Sequence, residues 1–113
     1  MHIEFNRVKI FVTVPKENFV AVRNAVCEVG AGVVGNYTYC TFSVSGNGTF
    51  VPNENANPYI GESNNLEIIE EIKLEFVCDV ANVKNVIQKL RVVHPYEEPA
   101  IDIVPLLEES DFE

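Results

Sequence analysis

The chain predicts an α+β fold with the element order β-α-β-β-α-β, and three observations carry that prediction. Apolar residues alternate at period 2 in VKIFVTV and EIKLEFVC. They recur at helical spacing over residues 16–29 and 83–93, and prolines or glycines punctuate the joins.

The first strand places Val8, Ile10, Val12 and Val14 on one face and Lys9, Phe11 and Thr13 on the other, and Pro15 ends it. From Lys16 to Val29, Phe19, Val22, Val26 and Val29 form one apolar stripe of a helix, which Gly30 is placed to stop. YTYCTFSV predicts a second strand with Cys40, Phe42 and Val44 facing the core and Tyr39, Thr41 and Ser43 facing out. In the third strand Ile72, Leu74, Phe76 and Cys78 alternate with Glu71, Lys73, Glu75 and Val77, and Leu66 to Glu70 either extends it or forms a separate piece. Val83, Val86, Ile87, Leu90 and Val93 mark a second helix, with Asp79 or Asn82 as its expected cap. Pro95 stops that helix and AIDIVPL supplies a fourth strand.

This order is that of the ferredoxin-like split βαβ unit, in which two helices cover one face of a four-stranded antiparallel sheet. Phe11, Tyr39 and Val77 fall on the other face, so a homo-oligomer that covers it is expected. Residues 45–66 are too long for a structureless loop and predict an extra hairpin or loop excursion, with its turn at Asn47-Gly48. Residues 1–107 read as a single domain and 108–113 as an acidic, disordered tail.

A net charge of −9, from 17 acidic and 8 basic residues, repels phosphate backbones and anionic lipid, so neither nucleic acid nor membrane is expected as a partner. No run approaches the ~20 apolar residues of a membrane span, and the alternating, charged start excludes a signal peptide, which points to the cytoplasm. Cys27, Cys40 and Cys78 are odd in number and sit in apolar segments, as reduced core residues do.

Two motifs invite a chemical reading. Gly30, Gly32 and Gly35 satisfy GxGxxG, but a helix precedes them and a strand follows, the reverse of a dinucleotide site, so they predict a helix cap and a tight turn. HPYEEPA, residues 94–100, packs an imidazole, a phenol, two carboxylates and two prolines into seven residues, and the prolines hold His94 and Glu98 extended. His2 lies in an expected frayed terminus, leaving His94 as the one histidine for a site. With Glu97, Glu98 and Glu71 it offers the donor types of a mononuclear zinc or copper site. The simpler expectation is a stiff connector that lines a pocket, with His94→Ala costing little and no cofactor required.

The string GAGVVGNYTYCTFSVSGNGTFVP, then NPYIG, then Glu71 in EEIKLEF, and finally HPYEEPAIDIVPL resembles a domain carried within many bacterial Nif-three-like proteins, the type 2 GTP cyclohydrolase-like family. The resemblance runs from about Val8 to Leu106 and implies a PII-like or CutA-like domain that associates as trimers, with a dimer as the alternative. In that family the two metals are held by a separate flanking domain, so the resemblance implies neither metal ligands nor cyclohydrolase activity for these residues.

The leading expectation is therefore a non-catalytic, oligomeric regulatory or binding module for a small ligand or protein partner. Its candidate ligand-binding residues are Tyr37, Glu71, His94, Tyr96, Glu97 and Glu98. One alternative is a CutA-like divalent-metal binder using His94, Glu97 and Glu98. Another is an enzyme acting on a small cytoplasmic metabolite, with His94 as general base and Glu97 or Glu98 orienting it.

Overall fold

The structure, a computed structural model, describes residues 4–112; His2 and Glu113 lie outside them. Strand β1 (Arg7–Pro15) leads through a 3-10 turn into helix α1 (Phe19–Glu28), followed by β2 (Thr41–Phe50), β3 (Glu67–Asp79), helix α2 (Val83–Val93) and β4 (Ile101–Leu106). The strands form one antiparallel sheet in the order β2-β3-β1-β4. The predicted α+β ferredoxin-like architecture is thus the one observed.

The core lies between the helices and one face of the sheet. Val8, Ile10, Val12 and Val14 of β1 and Leu74, Phe76 and Cys78 of β3 meet Val22 and Val26 of α1 and Val86 and Leu90 of α2, all buried. Cys27 is also buried, and burial raises the pKa of both core thiols, as expected of inert cysteines. Cys40 is only half-buried and precedes β2, so it is not the core residue expected.

Helix α1 ends as predicted. Gly30 takes φ +99 and its N–H donates to Cys27 O, while Ala31 N–H donates to Val26 O, the two bonds of a Schellman cap. Neither Asp79 nor Asn82 caps α2 with its side chain. Asn82 instead donates through Nδ2 to Val29 O at 2.8 Å, tying the end of α1 to the start of α2. A Cβ on Gly30 would stand 2.8 Å from that Nδ2.

Strand β2 differs from expectation in three ways. It begins at Thr41, after a turn in which Tyr39 takes φ +57, so Tyr39 is not on a strand face. Its facing is reversed: Thr41 pairs with Phe76 and Ser43 with Leu74, which puts Phe42 and Val44 on the open face, both exposed. Residues directly opposite in a ladder share a face, and β3's buried partners decide which. Finally, no hairpin forms at Asn47-Gly48, because β2 runs straight through them, pairing Asn47 with Glu70 and Gly48 with Ile69. The excursion is confined to residues 51–66.

Strand β3 extends to Glu67, so residues 66–70 are largely the extension of the third strand. Beyond the Pro15–Glu71 pair β1 has ended, and Glu67–Glu70 pair only with Asn47–Phe50 as a two-stranded ribbon. At the other end of the chain, Arg7 forms a two-bond ion pair with Glu108 (2.8 and 3.1 Å), and Glu108 and Asp111 cap a short 3-10 turn. The described part of the acidic tail is therefore held at this point, because Arg7 supplies the cation its carboxylates need.

Candidate functional site

Three elements converge where β1 ends: the open face of β3, the excursion 51–66, and the segment HPYEEPA after α2. They border a half-open cavity of about 550 Å³. Thr13, Gly48, Phe50 and Glu71 line it from the sheet, Pro52, Pro58 and Tyr59 from the excursion, and Tyr96, Glu97 and Glu98 from the segment after α2.

The backbone of that segment follows from its prolines. His94 closes α2 with its N–H on Leu90 O and takes φ −72, ψ 134, the extended conformation imposed by Pro95. That geometry turns the imidazole inward, where it is only 5% exposed. Nε2–H donates to Thr13 O at 2.8 Å, and Nδ1 accepts Tyr96 N–H at 3.1 Å. A carbonyl can only accept and an amide N–H only donate, so the ring is the neutral Nε2–H tautomer. Burial lowers its pKa against the smaller opposing effects of Thr13 and Glu71. Protonating Nδ1 would set two donors against each other.

Tyr96 is the next link. Its ring lies 5.0 Å from that of His94, 6.0 Å from Phe50 edge-on and 6.4 Å from Tyr59. Its phenol donates to Glu71 Oε2 at 2.9 Å. Burial, reinforced by that bond, pushes the phenol's pKa well above its ordinary value. Glu71 is 8% exposed and lies against the strand at Gly48, where any Cβ would collide with its carboxylate. Glycine at 48 is therefore a condition of this site: it leaves the space that the carboxylate fills.

The excursion is fastened to the same segment. Glu97 accepts Asn57 N–H at 2.9 Å, Asn64 N–H donates to Pro52 O, and Gly61 at φ +99 lets the chain turn back toward β3.

Of the residues singled out from sequence, the structure brings Glu71, Tyr96, Glu97 and Glu98 to one cavity, with His94 behind Tyr96 as its support. Tyr37 stands apart, 73% exposed in the turn before β2 and not in the cavity lining. Phe50 and Tyr59 were not singled out. Their signal was the aromatic placed at each end of a Pro- and Asn-rich run, FVPNENANPY.

Two of the three residues that suggest a metal site, His94 and Glu97, already have partners within the protein. Both imidazole nitrogens are engaged, Glu97 holds Asn57, and no group of three His, Cys, Asp or Glu among the described residues is placed to hold an ion. Nor is His94 placed as a general base. Its one lone pair faces a backbone N–H, and the ring does not reach the cavity. No described helix is long and apolar enough to cross a membrane.

Fold and site together define a CutA-like, PII-like α+β domain. CutA of Archaeoglobus fulgidus superposes with a TM-score of 0.65 at 16% identity, covering 90% of this chain and 85% of that one, a likeness of fold alone. A Bacillus cereus protein related to NIF3 superposes better, with a TM-score of 0.80 and 37% identity over 95% of this chain and 27% of that one. In sequence, the GTP cyclohydrolase 1 type 2 homologs of Halalkalibacterium halodurans and Bacillus subtilis are 44% and 45% identical over 103 and 98 residues. Those matches cover 91% and 87% of this chain but only 28% and 26% of the relatives. No family model matches. The chain is similar to the segment of Nif-three-like proteins that folds like CutA, and spans about a quarter of the length of the relatives it matches.

Proposed function

We propose that this chain is a non-catalytic, oligomeric binding module of the Nif-three-like family, with no resident metal, and that the cavity between β3, residues 51–66 and HPYEEPA is its ligand site. The observation that carries this reading is the run Thr13–His94–Tyr96–Glu71, in which each titratable proton already has a fixed partner inside the protein. A catalytic acid or base must keep a lone pair or proton facing the substrate, whereas a rigid, satisfied network holds the shape of a pocket. The cavity's size suits a small ligand.

Self-association belongs to the same reading. Phe42, Val44 and Val104 are exposed on the open sheet face, with Phe11 half-buried among them, and a second copy of the same chain is the partner such a face fits. A trimer is favoured over a dimer, and a cytoplasmic location fits the acidic surface and the reduced cysteines.

Native mass spectrometry and a turnover assay test this together. The expected result is a trimer with no release of product from GTP in the presence of magnesium, manganese or zinc. A monomer near 12.6 kDa at all concentrations removes the oligomeric part. Saturable, metal-dependent consumption of GTP overturns the non-catalytic part.

A further inference from the structure

We propose that the cavity takes a small organic cation, a primary ammonium or guanidinium on an apolar body, with Glu71 as its counter-ion. This rests on the reading of the cavity as a ligand site and adds the chemistry of the ligand.

Three observations point the same way. First, Glu71 is more than nine-tenths buried yet has one hydrogen bond, from Tyr96 to Oε2, and no described Lys or Arg pairs with it. The phenol occupies one oxygen, and Oε1, which is not sealed from solvent, is left for a partner in the cavity that Glu71 lines. Second, the remaining charge around the cavity has the same sign. Glu97 and Glu98 line it and no Lys, Arg or His does, so an anionic ligand would meet three carboxylates and no compensating cation. Third, the walls are aromatic: Phe50 and Tyr59 flank Tyr96 with ring centroids 6.0 and 6.4 Å from it. Ring faces attract ammonium and guanidinium groups and pack against their carbon bodies.

A bare divalent ion fits less well. Hard cations take about six oxygen ligands, and here the interior offers one carboxylate, with Glu97 already committed to Asn57. The net charge of −9 adds a general field that concentrates organic cations near the protein.

The test titrates the intact chain with benzylamine, with benzyl alcohol and benzoate as neutral and anionic counterparts of the same shape, and follows the amide NMR signals of Gly48, Phe50, Tyr59, Glu71 and Tyr96. Benzylamine is expected to move these signals saturably. The alcohol and acid are expected to bind at least about tenfold more weakly. Glu71→Gln, which keeps an acceptor for Tyr96, should reduce benzylamine binding roughly tenfold. Tyr59→Ala, at a half-exposed position on the rim, should reduce it severalfold. Equal binding of amine and alcohol in the cavity overturns the cation assignment while leaving the ligand site standing. Binding of none of the three overturns both. If Glu71→Gln dissociates the oligomer, the cation is a side chain of a neighbouring copy, and a small ligand is excluded.

Discussion

The Tyr96 phenol donates to Glu71 Oε2 at 2.9 Å and so ties the segment after α2 to β3 across 25 residues of sequence. It is also the one hydrogen bond that compensates the buried carboxylate. Tyr96→Phe keeps the ring contacts and removes only the donor. It should destabilise the protein by about 1.5–3 kcal/mol, the range for hydrogen bonds to charged groups, read as a lower midpoint in chemical denaturation. An unchanged midpoint would show that the carboxylate is compensated by something other than Tyr96.

Gly48→Ala places a methyl group where the Glu71 carboxylate lies. Because Glu71 is held by Tyr96, it cannot yield without breaking that bond, and the expected cost is about 1–3 kcal/mol. The same change in a Glu71→Ala background should cost clearly less, since the clash is gone. Additive effects in the double-mutant cycle would mean that the two residues do not meet.

His94→Ala should cost about 1–3 kcal/mol, because it orphans Thr13 O and Tyr96 N–H together. The sequence expectation of a small effect took the segment as a stiff connector, whereas the histidine is buried at 5% exposure with both ring nitrogens bonded. A loss below about 0.5 kcal/mol, the level of an ordinary surface substitution, would contradict the buried geometry.

Stability should fall on mild acidification. His94 has its pKa lowered by burial from the ordinary 6.5, so its contribution is present above that value. As pH drops below it, the unfolded chain binds a proton that the folded chain refuses, and stability is lost down to the folded pKa. Tyr96 acts at the alkaline end with the opposite sense: its pKa is raised from 10.0, so stability is lost as pH rises above that value. Denaturation at about pH 7.5 and about pH 5.5 should show a drop that shrinks in His94→Gln, and an equal drop in both proteins would remove His94 as its source.

Phe42→Glu puts a charge on the exposed apolar edge of the open face. It should shift the oligomer toward monomer in sedimentation while leaving the melting of the monomer within about 0.5 kcal/mol of wild type. An oligomer that survives this change uses another surface.

The two helices and β1 and β3 were legible because each has one buried face, and burial writes its period into the chain, whereas β4, an edge strand with no buried face, was legible as a short apolar run after Pro99. Strand β2 was misread at its facing for the converse reason. It is an edge strand with both sides largely exposed, so Phe42 and Val44 carry no signal of which side the core is on. Asn47-Gly48 looked like a turn because Gly48 is a glycine, but it is one to leave room for Glu71, a tertiary cause invisible in local sequence. Glu71, Tyr96 and Glu97 could be named from residue type, whereas their roles could not. Which carboxylate is buried, and which imidazole nitrogen is occupied, depends on contacts between residues as far apart as Thr13 and His94.

The pairing of Arg7 with Leu106 sets where the backbone enters and leaves this fold. Partners across an antiparallel ladder lie about 5 Å apart, so both crossings occur at one corner of the sheet. A host backbone could therefore accept the whole unit between two neighbouring residues with almost no separation to bridge, and the host's own packing would need little adjustment. The same geometry permits a circular permutant that links residue 106 back to residue 7 and opens within 51–66. Such a unit can occupy about a quarter of a longer relative while keeping its own core.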